Sequence, residues 1–283
     1  MSIDDLKLDR LLPKVHEIAK DAGEIIMQVY KKGFDTEIKA DDSPVTTADL
    51  AANAYIEKAL KSLMPDIPQL SEESPKVPFS ERKKRLTYWL IDPLDGTKEF
   101  IKHSNNFTVN IALIHKNKSV LGVVYAPALG CSYLAAKGQG SYKQQQNHAR
   151  ISISVRKRTN PTVFACSSSH PGKMLSTFLD AYKKRYGNYE LISMGSSLKM
   201  CMVAEGRADL YPRLWYTSEW DTAAAHCIVD EAGGKLVKTD LSPLLYNTKD
   251  SLLNPFFLTI GGNDIDWRRF IPDSSSDSFK SHG

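Results

Sequence analysis

The amino-acid sequence predicts an α/β protein with two unlike halves, α+β in the first and α/β in the second. Between Tyr88 and Val155, after two segments with helical spacing, apolar residues alternate or run in short stretches between turn signals, as in antiparallel strands. From Thr162 onward strand-like and helix-like segments alternate, which implies a sheet that is at least partly parallel. At 283 residues the chain is long enough for two subdomains of ordinary size.

Leu8, Leu11, Leu12, Val15, Ile18, Ala22, Ile25, Ile26 and Val29 follow helical spacing and predict an amphipathic helix ending near Gly33. Thr46, with Asp49 three residues on, forms a capping-box variant for a second helix that Pro65 stops near Met64. Tyr88-Trp89-Leu90-Ile91 reads as a short buried strand, and Pro93, lacking a ladder donor, is expected to take the chain out of the sheet. Strands follow at Thr108 to His115, Val120 to Tyr125, Cys131 to Ala136 and Ile151 to Val155. Arg158-Thr159-Asn160-Pro161 marks a change of pattern, so the boundary falls between Val155 and Thr162. This gives subdomains 1–157 and 158–270, and a serine-rich tail, 271–283, expected to be disordered. The second half predicts a strand at Thr162 to Cys166, a helix to about Tyr186, a strand at Tyr189 to Ser193 and a helix from Ser196. Further strands fit Ala208 to Tyr211, Lys235 to Val237 and Phe256 to Ile260, with a helix from Thr222 to Ala232.

A net charge of +4 is too small to demand a nucleic-acid polymer as partner but suits a small anionic substrate. The basic run Arg82-Lys83-Lys84-Arg85 reads as a solvated segment. No run approaches the roughly eighteen apolar residues of a membrane span, and the N-terminus lacks a signal peptide's apolar core. The expected location is cytoplasmic, which leaves peripheral attachment to the inner membrane open, as it does the choice between monomer and homodimer. Cys131, Cys166, Cys201 and Cys227 lack paired metal spacing and read as reduced thiols.

The chemistry concentrates in Asp92-Pro93-Leu94-Asp95-Gly96-Thr97, where two carboxylates, a carbonyl and a hydroxyl follow an apolar strand. Two such close acids repel unless a cation or proton neutralises them, and oxygen-only ligands suit magnesium or manganese better than zinc. Glu72, in Leu70-Ser71-Glu72-Glu73, and Asp221, in Trp220-Asp221-Thr222-Ala223-Ala224, extend the acid set. Asp221 is also placed to cap the helix that follows, and Asp49 already has a capping role. Gly96 lets the backbone N–H groups of Gly96 and Thr97 approach an anion at the start of a helix. Gly195-Ser196-Ser197, opening a helix after a strand, is a second anion site by the same logic, with Lys199 and Arg213 adding charge. The turn Ser167-Ser168-Ser169-His170-Pro171 is a third strand-to-helix junction.

The two acid motifs resemble the signatures of the inositol monophosphatase superfamily. The longer runs Tyr88 to Lys102, Phe107 to Ile114 and Gly195 to Arg213 are similar to bacterial 3′(2′),5′-bisphosphate nucleotidases of the CysQ type. The resemblance spans roughly residues 15 to 262. It departs from the inositol phosphatases at Glu99, where they often have Asn.

The resemblance implies a layered αβαβα sandwich with the active site between its halves. It also implies two or three magnesium ions, with manganese as a substitute, on Glu72, Asp92, the Leu94 carbonyl, Asp95 and Asp221. Glu72 would take the proton of the attacking water, and Asp49 and Thr97 would orient it. Glu72, Leu94, Asp95, Gly96, Thr97 and Asp221 would meet the cleaved phosphate. Ser196, Lys199 and Arg213 would hold the other phosphate, and His170 would face the nucleotide. The implied reaction is lithium-sensitive removal of the 3′-phosphate from adenosine 3′,5′-bisphosphate, and from its sulfated analogue, in sulfur metabolism. An inositol monophosphatase is the alternative enzyme. A metal-dependent regulatory binding protein is the non-enzymatic alternative, and it would not require an activated water.

Overall fold

The computed structural model describes residues 6–38, 44–146, 148–158, 160–167, 172–262 and 265–272. Helix α1 (Leu8–Lys32) buries Leu8, Leu11, Leu12, Val15, Ile18, Ala22 and Ile26 along one face. A short hairpin, β1 (Thr36–Ile38) with β2 (Pro44–Thr46), leads into α2 (Thr47–Leu63). Both helices cover one face of a seven-stranded sheet.

That sheet takes in β3 (Gln69–Ser71) and, after the one-turn α3 (Phe79–Arg82), β4 (Thr87–Asp95). Past α4 (Thr97–Ile101) it continues through β5 (Thr108–His115), β6 (Lys118–Ala126), β7 (Cys131–Ala136), β8 (Ser141–Gln145) and β9 (Ile151–Ile153). Spatial order follows chain order, with β3 parallel to β4 and every other pair antiparallel. Trp89 and Ile91 of β4 pack with α1 and α2, whereas Tyr88 and Leu90 join the core on the opposite face. With both faces covered, β4 and β5 read as continuous apolar runs rather than as alternating ones.

The chain does not leave the sheet at Pro93. Strand β4 runs on to Asp95: Asp92 pairs with Asn110 and Asp95 with Thr108, so one extra residue is accommodated on β4 as a bulge. A bulge frees the strand from needing a ladder donor where Pro93 has none, and it re-aims the two acids that flank it.

The second half builds a five-stranded sheet in the order β11-β10-β12-β14-β13. Its elements are β10 (Thr162–Ser167), α5 (Lys173–Tyr186), β11 (Tyr189–Met194), α6 (Leu198–Ala204), β12 (Leu210–Arg213), α7 (Glu219–Glu231), β13 (Lys235–Lys238) and β14 (Phe257–Ile260). β10 is parallel to β11 and β12, and the remaining pairs are antiparallel. Helices α6 and α7 fill the space between the sheets, while α5 and the 3-10 turn Trp267–Phe270 cover the outer face through Phe164, Phe178, Tyr182 and Trp267. The result is the αβαβα layering. Helix α7 lies so close to β6 that a Cβ on Gly122 would sit 2.0 Å from the Ala224 carbonyl oxygen, so only glycine fits there.

Several boundaries differ from expectation. The strand from Ile151 stops at Ile153, and the one expected from Ala208 runs Leu210–Arg213. Helix α6 begins at Leu198, not Ser196, because Ser196 adopts a left-handed φ of 48°. Helix α7 begins three residues before Thr222, which puts Asp221 inside its first turn and not at the cap. Arg82 is not solvated: it is 2% exposed, donates to Asn247 Oδ1 at 2.5 Å, and also bonds the Lys249 and Asp250 carbonyls. Cys131, Cys201 and Cys227 are buried free thiols, and Cys166 is half-buried and free. No helix among the described residues is long and apolar enough to cross a membrane. Residues 273–283 of the serine-rich tail lie outside the described residues.

Candidate functional site

Because β3 runs parallel to β4 with Ser71 opposite Ile91, the next residues, Glu72 and Asp92, come side by side. The Glu72 N–H donates to the Ile91 carbonyl at 3.2 Å, and Asp92 Oδ1 accepts from the Leu94 N–H at 3.1 Å. Asp221 arrives from the first turn of α7. Ligand oxygens of Glu72, Asp92 and Asp221 all lie within 4.8 Å of one another.

Asp49 and Asp221 divide their two oxygens in the same way. Each is the third residue of its helix, and Oδ2 caps the helix start, accepting from Thr46 N–H at 2.8 Å and from Ser218 N–H at 2.8 Å respectively. The other oxygen is left for the site, and Oδ1 of Asp49 lies 3.2 Å from the Thr97 hydroxyl. The capping and site readings of these residues are therefore compatible. The Thr97 hydroxyl also lies 3.3 Å from the Leu94 carbonyl.

Asp95 stands apart from the group of three. Its Oδ2 accepts from Ser197 N–H at 2.6 Å and Ser197 Oγ at 2.7 Å, with Asn110 Nδ2 at 3.3 Å and Thr108 Oγ1 at 3.4 Å. Ser197 Oγ also lies 2.6 Å from the Asp221 carbonyl and accepts from Asn110 Nδ2 at 2.9 Å, so this hydroxyl links the Asp95 loop to the start of α7. Sequence reasoning misses these parts played by Ser197, Thr108 and Asn110. The available signal is Thr108 and Asn110, two polar residues at i and i+2 on one face of an otherwise apolar strand. Ser197→Ala is expected to raise the magnesium concentration for half-maximal activity by about ten- to a hundredfold, as loss of outer-shell partners does. A magnesium titration of activity checks this, and an unchanged midpoint contradicts it.

Burial, and then the negative charge of Glu72, Asp95 and Asp221, pushes the Asp92 carboxyl well above the usual carboxylate range. Burial, Asp95 and Glu72 do the same to Asp221. Asp49 is raised by burial, against hydrogen bonds from Thr46 and Thr97 that favour its charged form. Crowded, desolvated, oxygen-only donors of this kind fit a hard divalent cation, which would offset their repulsion. A group whose folded-state pKa is raised stabilises the metal-free fold below its unfolded pKa, and that stability is lost as pH rises through the folded-state value. In EDTA the melting temperature should thus fall, relative to a magnesium series, as pH rises above the ordinary carboxylate range of about 4. The buried His226 imidazole, held down to about 4 from 6.5, acts in the opposite direction in both series, so their difference reports the acid cluster. Parallel curves with and without magnesium would contradict the expectation.

Across the site, the end of β10, the start of α6 and β12 form the wall of an open cavity of about 160 Å³ that reaches Asp95, Gly96 and Asp221 on its other side. Ser196, Lys199 and Arg213 line it. The Ser196 hydroxyl and Arg213 Nε are buried without a hydrogen-bond partner among the described residues. Lys199 Nζ donates to the Ser196 carbonyl at 2.7 Å and sits 5.6 Å from the Tyr211 ring centroid, while Arg213 Nη2 donates to the Tyr216 carbonyl at 2.8 Å. The expected cradle of backbone donors at Ser196 and Ser197 is reduced, because Asp95 takes the Ser197 N–H. His170 lies outside the described residues.

Arg82 supports the site from behind. Asn247, its partner, donates its backbone N–H to Glu219 Oε2 at 2.8 Å, which ties the 247–250 loop to the first turn of α7 that carries Asp221. Burial raises the Glu219 carboxyl to about 7.

Known proteins share this arrangement's sequence and fold. The chain is 47% identical over 249 residues to the 3′(2′),5′-bisphosphate nucleotidase CysQ of Salmonella typhimurium, covering 87% of this chain and 98% of that protein. It is 37% identical to the protein of the same name from Haemophilus influenzae, over 92% of this chain and 96% of that one. Among solved structures, CysQ from Bacteroides thetaiotaomicron, a bacterial member of the inositol monophosphatase family, superposes with a TM-score of 0.79 at 37% identity, covering 92% of this chain and all of that one. An inositol monophosphatase from Thermotoga maritima superposes with a TM-score of 0.73 at 26% identity, covering 90% and 92% of the two chains. The model of the inositol monophosphatase family matches residues 7–260, and with relatives at this identity along nearly their whole length the chain belongs to that family.

Proposed function

We propose that this protein is a magnesium-dependent 3′(2′),5′-bisphosphate nucleotidase that converts adenosine 3′,5′-bisphosphate to adenosine 5′-monophosphate and inorganic phosphate. It would also act on the sulfated analogue, clearing a by-product of sulfate activation. The observation that carries this reading is the pair of buried donors without partners, Ser196 Oγ and Arg213 Nε, on the cavity wall across from the acid cluster. An inositol carrying one phosphate offers them no second anion. The named nucleotidases to which the chain is 47% identical support the same substrate class.

Glu72, Asp92, the Leu94 carbonyl, Asp95 and Asp221 would hold the metal ions. When bound, magnesium supplies positive charge to the phosphate and lowers the pKa of a coordinated water. Glu72 would accept the proton of the attacking water, and the Asp49–Thr97 pair, 3.2 Å apart, would fix its orientation. Gly96 and Thr97 present backbone donors to the phosphate that leaves. Ser196, Lys199 and Arg213 hold the 5′-phosphate, which fixes the nucleotide in one register and lowers the entropy cost of in-line attack. His170 contributes on the nucleotide side. The division into 1–157 and 158–270 belongs to the same reading, with most metal ligands in the first part and the 5′-phosphate residues in the second.

The test is phosphate release from adenosine 3′,5′-bisphosphate beside inositol 1-phosphate at equal magnesium. A clear preference for the nucleotide is expected. Preference for the inositol ester would replace the reading with an inositol monophosphatase, and magnesium binding without any release would replace it with a binding protein.

A further inference from the structure

We propose that Glu99 is a specificity residue that reads the ribose hydroxyl next to the phosphate being removed. The inference rests on the nucleotidase reading above. Glu99 lies in α4, three residues after Gly96, and lines the same cavity as Ser196, Lys199 and Arg213. Its carboxylate sits between the two anion-holding loops. A Cβ built on Gly96 would lie 3.5 Å from Glu99 Oε2, and one built on Gly195 would lie 2.9 Å from Glu99 Cγ.

A carboxylate is out of place in a cavity meant for a substrate with two phosphates. It repels both anions, and the repulsion grows as the bound ligand excludes water. Elsewhere in the site each acid is already engaged, since Glu72, Asp92 and Asp221 converge, Asp49 caps a helix, and Asp95 accepts from Ser197. Glu99 has no side-chain hydrogen bond or ion pair with any described residue. An acceptor-only group in this position is compatible with the ligand if the ligand brings a donor to it. On a nucleoside 3′,5′-bisphosphate bound with the 3′-phosphate at Gly96 and the 5′-phosphate at Ser196, the sugar has one hydroxyl left to donate, the 2′-hydroxyl, one carbon from the scissile ester and so on the Gly96 side, where Glu99 Oε2 lies. With a 2′,5′-bisphosphate the 3′-hydroxyl takes that place. The same carboxylate rejects a sugar carrying a further phosphate at the neighbouring carbon, because that group would bring negative charge where a proton donor is needed.

The experiment compares kcat/KM on adenosine 3′,5′-bisphosphate with that on its 2′-deoxy counterpart, for the wild-type protein, Glu99→Gln and Glu99→Ala, with magnesium saturating. The wild type should prefer the ribonucleotide by about ten- to a hundredfold, the range for a hydrogen bond to a charged group. That ratio should fall towards one in Glu99→Ala and to an intermediate value in Glu99→Gln, which keeps an acceptor but not its charge. Because the readout is a ratio within each variant, a general loss from disturbed folding cancels. A wild-type ratio near one overturns the inference alone, as does a large ratio that survives in Glu99→Ala. A wild-type protein that leaves adenosine 3′,5′-bisphosphate intact while cleaving inositol 1-phosphate overturns the nucleotidase reading and this inference with it.

Discussion

Asp92→Asn should lose turnover by about a thousandfold or more while its metal-free form becomes more stable than the wild type. Both effects have one cause. Asp92 is 1% exposed, its neighbours Glu72, Asp95 and Asp221 push its carboxyl towards protonation, and a neutral amide of the same shape removes that repulsion. The Leu94 N–H now bonded to Asp92 Oδ1 can still donate to the Asn carbonyl oxygen, so the bulge that sets the site need not move. In a chain of this size each kcal/mol gained shifts the melting temperature by roughly 2 to 4 °C. Melting curves in EDTA should therefore place the variant above the wild type, and magnesium should raise the wild type more than the variant. Near-normal turnover in the variant would remove Asp92 from the metal site. Loss of turnover together with a lower melting temperature in EDTA would assign it a structural part instead.

The opposing signs of that prediction come from acids whose types and spacing were legible in the sequence, although their meeting was not. Asp92 and Asp95 could be read as ligands because two acids so close together after an apolar strand repel unless neutralised, and Glu72 and Asp221 because acids beside apolar flanks need neutralising. What brings Glu72 to Asp92 is the three-residue strand Gln69–Ser71, too short to show alternation, paired parallel to β4. Ser141–Gln145 escaped for a different reason: Ser-Tyr-Lys-Gln-Gln is polar, and only its pairing with β7 and β9 makes it a strand. Pro93 misled because a missing donor ends a regular ladder but is harmless at a bulge. Arg82 misled because a run of four basic residues looks solvated, whereas its partners, Asn247 and the carbonyls of Lys249 and Asp250, lie more than 160 positions along the chain. Ser197 carried no local signal for Asp95, since that bond depends on how the second half docks on the first.

The second large effect is expected on the far wall of the cavity, where charge selects the substrate. If Arg213 holds the 5′-phosphate, Arg213→Ala removes a charge-assisted contact worth about 1.5 to 3 kcal/mol, or roughly ten- to a hundredfold in kcat/KM on adenosine 3′,5′-bisphosphate. On adenosine 3′-monophosphate, which has nothing to place there, the rate should change little. Arg213 is a cleaner probe than Lys199. Arg213 Nε is buried with no hydrogen-bond partner among the described residues, and the carbonyl that Nη2 meets is in a loop three residues on. Lys199 Nζ, by contrast, holds the carbonyl of Ser196 in its left-handed turn, so Lys199→Ala should add a loss from a loosened loop to the loss of charge. The order of effects on the bisphosphate is then Lys199→Ala at least as large as Arg213→Ala, with only Lys199→Ala also slowing the monophosphate. Added salt should reduce the wild-type preference for the bisphosphate towards that of Arg213→Ala, because screening weakens a phosphate contact at an open cavity more than it weakens buried groups. Equal losses on both substrates in Arg213→Ala would show that the guanidinium supports the fold or the acid cluster, and would remove the electrostatic reason for choosing a nucleotide over an inositol.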